Sequence, residues 1–253
     1  MASSDFNAEG LWTDEAIVAA RIPREKVILQ QRISRGGYGE VYVGTFNGQR
    51  VAIKMLLPET RKRIHSVNEF LAEVKLMASL EHPRIVEFIG VAWDSLTDLC
   101  AVSQFMKGGD IRALLNRCDN TGFDYTKVKI ALHVAHALTY MHQFDPPIIH
   151  LDGLWGFSGT MTAGIGTSLW MAPEMMTGEK YDEKADIFSF GVASDLAILQ
   201  LVMQGKLQVN FSEACSRVIL ELGMACVAID PIARPTAAEA LYQLQVALLN
   251  NSN

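Results

Sequence analysis

Two predicted strands around the dipeptide Asn47-Gly48 place the strongest constraint on how this chain can fold. Residues 41–46 and 50–54 flank that dipeptide; both runs contain β-branched residues, and the first also contains Tyr42 and Phe46. Asn-Gly strongly favours a two-residue hairpin turn, because both turn residues must adopt positive φ angles. The sequence therefore predicts an antiparallel β-hairpin over residues 41–54.

A glycine-rich turn precedes this hairpin and narrows the possible functions. Residues 34–39 read Ser-Arg-Gly-Gly-Tyr-Gly and lead directly into a strand. A dinucleotide-binding fingerprint must lead into a helix, so that class of site is excluded here. Gly36 and Gly39 would let the backbone approach phosphate groups closely, and Val41 could lie over a flat base. The turn is thus either a phosphate-binding loop or an ordinary surface turn.

A helix with a carboxylate beside its apolar face is predicted next. Residues 66–69 read Ser-Val-Asn-Glu, which is a capping box and indicates a helix start. Phe70, Val74 and Met77 then repeat at helical spacing. Glu73 lies next to that apolar face, where a carboxylate is costly unless a cation neutralises it. We expect Glu73 either to form an ion pair or to lie at the solvent-exposed rim.

These motifs together resemble the protein kinase superfamily. Its glycine-rich loop reads G-x-G-x-x-G-x-V and is followed by V-A-I-K, and residues 51–54 match all four of the latter letters. Ser34 stands where the family has its first glycine. The resemblance implies ATP as the ligand, with Lys54 and Glu73 paired as catalytic residues. The nucleotide-binding residues that it implies are Ile33, Ser34, Gly36, Gly37, Gly39, Val41, Ala52, Lys54, Met106 and Asp110.

The resemblance also implies a division of the chain and an α+β fold class. The implied parts are a flanking segment at 1–25, an N-terminal lobe at 26–103, a hinge at 104–110 and a C-terminal lobe at 111–249. The fold would be bilobal, with a small antiparallel β-sheet and one helix in the first lobe and mainly helices in the second. Met106 would offer backbone groups to the base, whereas Asp110 would lie near the ribose, cap the next helix, or do both.

The catalytic loop departs from the family pattern H-R-D-L-x-x-x-N. Residues 150–157 read His-Leu-Asp-Gly-Leu-Trp-Gly-Phe, so Leu151 replaces the arginine and Phe157 the metal-binding asparagine. No Asp-Phe-Gly follows, and Asp152 lies only 22 positions before Glu174, which is roughly half the family spacing. Asp152 remains the candidate proton acceptor. Both metal ligands are missing from the sequence, so Mg²⁺ would bind weakly if at all and no metal site is assigned.

After this gap the chain returns to the family pattern. Residues 166–174 read Gly-Thr-Ser-Leu-Trp-Met-Ala-Pro-Glu, which is similar to the tyrosine-kinase-like branch, whose members mostly phosphorylate serine and threonine. Asp186 matches an aspartate that braces the catalytic loop, and Glu174 with Arg234 matches a buried ion pair. A second shortening follows Gly191, which would leave the C-terminal lobe incomplete.

Local patterns predict three helices in the C-terminal half. Apolar residues recur at helical spacing over 125–142, and residues 212–228 read as one helix. Thr236 and Glu239 form a capping box that would begin the last helix.

Composition and the absence of other signals exclude several further classes. A net charge of −6 disfavours nucleic acid or an acidic membrane as the main partner. The four cysteines lack metal-ligand spacing, which is typical of reduced thiols. No stretch reaches the roughly 18 consecutive apolar residues of a membrane span, and no basic and apolar leader begins the chain. We expect a cytoplasmic protein that binds ATP and a protein substrate or signalling partner.

Three functions remain open on the sequence alone. The chain could be a nucleotide-binding pseudokinase or truncated kinase that is catalytically impaired, or an active serine/threonine kinase of the tyrosine-kinase-like branch. It could also be a non-functional product of gene decay or mis-splicing. The sequence favours the first, because phosphoryl transfer needs metal ions at the β- and γ-phosphates. Nucleotide binding can survive the loss of those ions.

Overall fold

The computed structural model describes residues 14–37, 39–95, 97–109, 114, 125–150, 171–192 and 216–250. These residues form two compact units. The first contains the described residues up to Leu114, and the second contains those from Tyr125 onward.

The first unit is built on an antiparallel β-sheet. Its described strands are β1 (Val27–Arg35), β2 (Glu40–Phe46), β3 (Gln49–Met55), β4 (Phe88–Ala92) and β5 (Cys100–Gln104). They are arranged in the order β1-β2-β3-β5-β4. The turn between β2 and β3 consists of Asn47 and Gly48, with φ angles of 48° and 78°. The predicted hairpin is confirmed, and both of its turn residues have the positive φ angles that an Asn-Gly turn requires.

Two helices share the core of this first unit, α1 (Glu15–Ala19) and α2 (Ile64–Ser79). Ile17 of α1 and four α2 residues form one buried cluster with residues of β4, β5 and their connection. The α2 members of that cluster are Val67, Phe70, Leu71 and Val74.

Helix α2 begins two residues before the predicted capping box. Arg63 is the N-cap residue, and no side chain caps the helix. Val67 N donates to Arg63 O over 3.1 Å, so Ser66 already lies inside the first turn. The prediction that residues 66–69 open the helix was therefore wrong in position.

The second unit is helical in all its longer described elements. These are α3 (Tyr125–His142), α4 (Pro173–Met176), α5 (Lys184–Gly191), α6 (Arg217–Cys226) and α7 (Ala237–Asn250). Helix α7 packs against α3 and α6, and α5 also packs against α6. The predicted α+β class, with a small antiparallel sheet followed by a mainly helical part, is confirmed.

Two helix predictions in this unit can be compared with the structure. The helix predicted at 125–142 is confirmed as α3. The helix predicted at 212–228 is shorter, because Ser216 has the extended backbone of an N-cap and α6 ends at Cys226. Across the described parts of the chain, no helix combines the length and the apolar character needed to cross a membrane.

Candidate nucleotide-binding site

An ion pair joins β3 to α2 in the first unit. Lys54 Nζ lies 2.5 Å from Glu73 Oε1 and 2.7 Å from Oε2, so the ammonium group donates to both carboxylate oxygens. The side chains are 31% and 13% exposed. Partial burial lowers the effective dielectric constant and strengthens the attraction relative to a fully solvated pair. Glu73 therefore forms the ion pair and is not an unpaired glutamate at the rim.

The strand pattern explains why Lys54 lies on the face of β3 opposite to that of the buried Val51 and Ile53. Val51 and Ile53 of β3 are 1% and 0% exposed. Side chains alternate between the two faces of a strand, which places Ala52 and Lys54 on a common face of β3. In the ladder, Lys54 lies opposite Val41 of β2 and Ala101 of β5. The ammonium group thus extends from a strand that is held on both sides.

The glycine-rich turn is closed by a backbone hydrogen bond. Gly36 N donates to Gly39 O over 2.9 Å. A Cβ atom at Gly39 would lie 2.5 Å from Met55 O, so only glycine fits against β3 at this position. Gly36 and Gly37 have no atoms within 4 Å of the corresponding Cβ positions. The turn is therefore fixed at Gly39 and open to a ligand at its other two described glycines.

A small cavity lies between the turn and α2, and the ion pair forms part of its wall. Thr60, Ser66 and Glu69 line it together with Lys54 and Glu73. Glu69 and Glu73 place two carboxylates on this wall, and the Thr60 hydroxyl already donates to Leu57 O over 3.2 Å. Lys54 is the cation among these lining residues, so it is the group there that could attract a phosphate.

Sequence reasoning missed a charged cluster at the base of the turn. Glu40, only 6% exposed, accepts hydrogen bonds from Arg32 Nη1 over 2.7 Å and from Tyr42 OH over 2.8 Å. Arg35 Nη1 lies 3.5 Å from Glu40, and Arg35 Nη2 lies 2.9 Å from Glu59. These contacts link β1 to β2 on both sides of the turn. The register between β1 and β2 places Arg35 opposite Glu40, and no pattern within the sequence specifies that register.

Hydrogen bonding within this cluster favours the ionised form of Glu40. The hydrogen bond from Tyr42, followed by that from Arg32, holds the pKa of the Glu40 carboxyl below its usual range. The same carboxylate raises the pKa of the Tyr42 hydroxyl. The cluster thus keeps a negative charge and a proton donor together beneath the turn.

The remaining predicted nucleotide-binding residues occupy several different positions. Ser34 lies opposite Val41 in the β1–β2 ladder, and Ala52 pairs with Ser103 of β5. Ile33 and Met106 are 51% and 53% exposed. Asp110 and Asp152 lie outside the described residues.

Two buried charged contacts stabilise the second unit. Glu174 and Arg234 form a bidentate pair with distances of 2.6 and 2.8 Å, as the sequence predicts. Asp186 Oδ2 accepts a hydrogen bond from the His150 backbone N–H over 2.8 Å and lies 2.9 Å from His142 Nε2. Asp186 therefore braces the backbone at the start of the catalytic-loop sequence.

Comparison with known proteins places these features in a family. A family model described as protein tyrosine and serine/threonine kinase matches residues 27–152. The chain is 31% identical to serine/threonine-protein kinase STY17 of Arabidopsis thaliana, over 88% of this chain and 45% of that protein. It is 34% identical to STY46 of the same plant, over 71% of this chain and 34% of that protein.

A relative from a distant organism gives the same result. The chain is 31% identical to the probable serine/threonine-protein kinase drkB of Dictyostelium discoideum, over 68% of this chain and 28% of that protein. The chain spans less than half the length of these relatives. The region that the family model matches contains both the glycine-rich turn and the Lys54–Glu73 pair, and this chain belongs to the protein kinase superfamily.

Proposed function

We propose that this protein binds ATP through the first unit and transfers phosphate slowly or not at all, acting in signalling as a pseudokinase or truncated kinase. The bidentate Lys54–Glu73 pair is the observation that carries the proposal. A lysine held in this way presents a fixed positive charge, and phosphate recognition needs charge that is already in position. A cytoplasmic location and a protein substrate or signalling partner are part of the same proposal.

The turn and the lysine would act together on the nucleotide. Gly36 and Gly37 leave space for phosphate groups to approach the backbone. The Lys54 ammonium group would neutralise part of the charge of the phosphates. Val41, Ala52 and Met106 would contact the base, and Asp110 the ribose.

Catalytic impairment follows from the missing metal ligands. The sequence lacks both the catalytic-loop asparagine and the Asp-Phe-Gly aspartate. On the sequence alone, the residues at the family positions therefore do not fit a two-metal kinase centre. Each 1.36 kcal/mol of lost transition-state stabilisation lowers the rate about tenfold.

A thermal shift experiment tests nucleotide binding. ATP at a saturating concentration should raise the Tm by roughly 2–8 °C for a domain of this size. Lys54→Met should abolish that increase, because it removes the positive charge that the phosphates would contact. Arg217→Gln is the control, because its ion pair with Glu221 is exposed and lies in the other unit. A Tm increase that is the same in Lys54→Met as in the wild type would contradict the proposed site.

Active serine/threonine kinases of the tyrosine-kinase-like branch are the second candidate. The printed names of the relatives favour it, since each is described as a serine/threonine-protein kinase. Transfer of radiolabelled phosphate to a generic protein substrate at an ordinary kinase rate, abolished by Asp152→Asn, would establish this function. The absence of both transfer and nucleotide binding would instead favour a non-functional product.

A further inference from the structure

Residues 14–22, which we call the N-terminal strap, precede the family match but belong to the core of the first unit. Ile17 is 1% exposed and lies in the same buried cluster as Phe70 and Val74 of α2. The family model begins at residue 27, so it does not include the strap. The chain therefore supplies α2 with a contact that its family assignment does not explain.

One end of the strap is bound to α2. Asp14 Oδ1 accepts from the backbone N–H groups of Ala16 and Ile17 over 3.1 and 3.3 Å, which caps α1. Its other oxygen, Oδ2, accepts from Lys75 Nζ over 2.6 Å. The hydrogen bond from Lys75 is the main reason that the pKa of the Asp14 carboxyl lies below its usual range. One carboxylate thus orders α1 and attaches it to α2.

The other end of the strap is bound to β4 and to the residue that follows it. Ile22 N donates to Val91 O, and Val91 N donates to Ala20 O, both over 2.9 Å. Arg21 donates to Trp93 O over 3.1 Å, and its guanidinium group lies 4.2 Å from the centre of the Trp93 ring. The strap is therefore fixed at both ends.

A glycine on β4 allows the strap to lie this close. A Cβ atom at Gly90 would lie 2.6 Å from Ile22 Cγ2 and 2.8 Å from Ala20 O. Ala20 O is also the acceptor for Val91 N. Any side chain at Gly90 would consequently displace the strap without replacing either residue of the Asp14–Lys75 pair, its charged contact with α2.

Lys75 and Glu73 lie on nearly opposite sides of α2. Residues two positions apart in an α-helix are separated by about 200° around the helix axis, because each residue adds a rotation of about 100°. The Asp14–Lys75 pair holds α2 from one side, and the Lys54–Glu73 pair connects it to β3 from the other. Rotation of α2 about its axis would break both pairs together.

We propose that the N-terminal strap is a positioning segment that fixes the orientation of α2 and so keeps Glu73 on Lys54. Asp14 and Ile17 of the strap, together with Lys75 of α2, are the positioning residues, and they act on the nucleotide through Glu73. The consequence for ATP rests on the proposed function, whereas the consequence for the Lys54–Glu73 pair does not.

Acetylation of Lys54, followed by mass spectrometry of the full chain, tests the strap without a nucleotide. Asp14→Asn keeps a capping oxygen for α1 but removes the charge facing Lys75. The variants Asp14→Asn and Lys75→Met should each raise the acetylation rate of Lys54 roughly two- to fivefold, the range that partly exposed ion pairs support. Lys75→Arg, which keeps the charge, and Arg217→Gln in the other unit should leave the rate unchanged.

A double variant separates positioning from general stabilisation. In a Glu73→Gln background, Asp14→Asn should raise the rate of Lys54 acetylation no further, because the pair on which the strap acts is already lost. An equal rise in both backgrounds would overturn the proposal. So would faster hydrogen exchange across α2 with an unchanged Lys54 rate, which would show a merely structural contact.

Gly90→Ala provides a second route to the same result. It should raise the acetylation rate of Lys54 as Asp14→Asn does, although it changes no charged residue. An unchanged acetylation rate in Gly90→Ala, with the strap displaced as judged by hydrogen exchange at residues 14–22, would contradict the proposal.

The ATP measurement distinguishes failure of the strap from failure of the proposed function. The Kd of ATP should weaken in Asp14→Asn by the same roughly two- to fivefold factor. If the wild type binds no ATP, the proposed function is wrong, and the acetylation of Lys54 still decides whether the strap positions α2. ATP could bind equally well to the wild type and to Asp14→Asn while Lys54 is acetylated faster in the variant. The strap would then act on the Lys54–Glu73 pair but have no part in nucleotide affinity.

Discussion

At the scale of single residues, three ion pairs with similar distances differ widely in burial. Arg217 and Glu221 are 89% and 61% exposed, Lys54 and Glu73 are 31% and 13%, and Arg234 and Glu174 are 0% and 6%. Water and salt screen an exposed pair, so its contribution to stability is about 0–1 kcal/mol. Breaking a buried pair leaves an uncompensated charge and costs about 3–5 kcal/mol. Burial therefore determines the expected effect of each substitution.

Glu174→Gln should strongly destabilise the second unit. It would leave the fully buried Arg234 guanidinium without its carboxylate, although Lys184 O, Ala228 O and Ile229 O still accept hydrogen bonds from it. We expect the free energy of unfolding to fall by about 3 kcal/mol, measured by urea denaturation. Glu221→Gln is the matched control and should change it by less than about 1 kcal/mol. Equal effects of the two substitutions would contradict this prediction.

Two buried thiols should resist alkylation in the folded protein. Burial raises the pKa of Cys100 to about 11 and that of Cys226 to about 12. Few thiolates then exist at neutral pH, and the thiolate is the reactive form. Iodoacetamide at pH 7.5 should label the peptides that contain Cys100 and Cys226 only after denaturation, as measured by peptide mass spectrometry.

The same raised pKa values predict a loss of stability in alkali. Above a pH of about 8.5, an unfolded thiol releases its proton whereas the folded, buried thiol keeps it. The unfolded state then binds fewer protons, so the free energy of unfolding falls as the pH rises. Cys226→Ala should show a weaker fall between pH 8.5 and 10 than the wild type. A fall of equal steepness in both forms would show that the thiol does not contribute.

At the scale of elements, two capping-box sequences gave different outcomes for a physical reason. Thr236 and Glu239 cap α7 reciprocally, as predicted, with a 3.2 Å bond from Glu239 N to Thr236 Oγ1 and a 2.7 Å bond from Thr236 N to Glu239 Oε2. Pro235 precedes that box, and helical backbone is disfavoured at Arg234, the residue before the proline, so α7 could begin no earlier than Pro235. The box at Ser66 has no such barrier, and α2 extends back to Ile64.

Thr236→Ala should destabilise α7 in a pH-dependent manner. Loss of the cap should lower the free energy of unfolding by about 1 kcal/mol at pH 7, whereas Thr236→Ser should be nearly neutral. The hydrogen bonds from Thr236, the backbone N–H first, hold the pKa of Glu239 below its usual range. The stabilisation from Glu239 is therefore present above a pH of about 4.3 and is lost as the pH falls through its lowered pKa.

Urea denaturation of Thr236→Ala and the wild type at pH 7 and pH 3 measures this effect. The difference between the two proteins should shrink at pH 3. A difference that stays constant would show that Glu239 does not take part in the cap.

At the scale of the whole molecule, the sequence predicted local features better than contacts between distant segments. The Asn47-Gly48 turn is specified by its own dipeptide, and the Lys54–Glu73 pair by family motifs that fix both positions. The contact between Arg21 and Trp93 depends instead on how the strap lies against β4, which no local pattern encodes. The Glu40 cluster likewise depends on the register between β1 and β2.

Nucleotide binding by this chain should depend little on Mg²⁺. In an active kinase, metal ions bridge the β- and γ-phosphates and are themselves held by an asparagine and an aspartate. This sequence provides neither residue at the family positions, so protein groups add little to the affinity of the metal complex. We expect the Kd of ATP from titration calorimetry in excess EDTA to agree within about threefold with that in millimolar Mg²⁺, less than 1 kcal/mol.

An active serine/threonine kinase measured in parallel is the control, and its ATP affinity should depend on the metal. A tenfold or greater loss of affinity in EDTA for this chain would mean that its own side chains hold the ion. The inference of catalytic impairment would then fail, because it rests on the absence of such ligands and not on any defect in the Lys54–Glu73 pair.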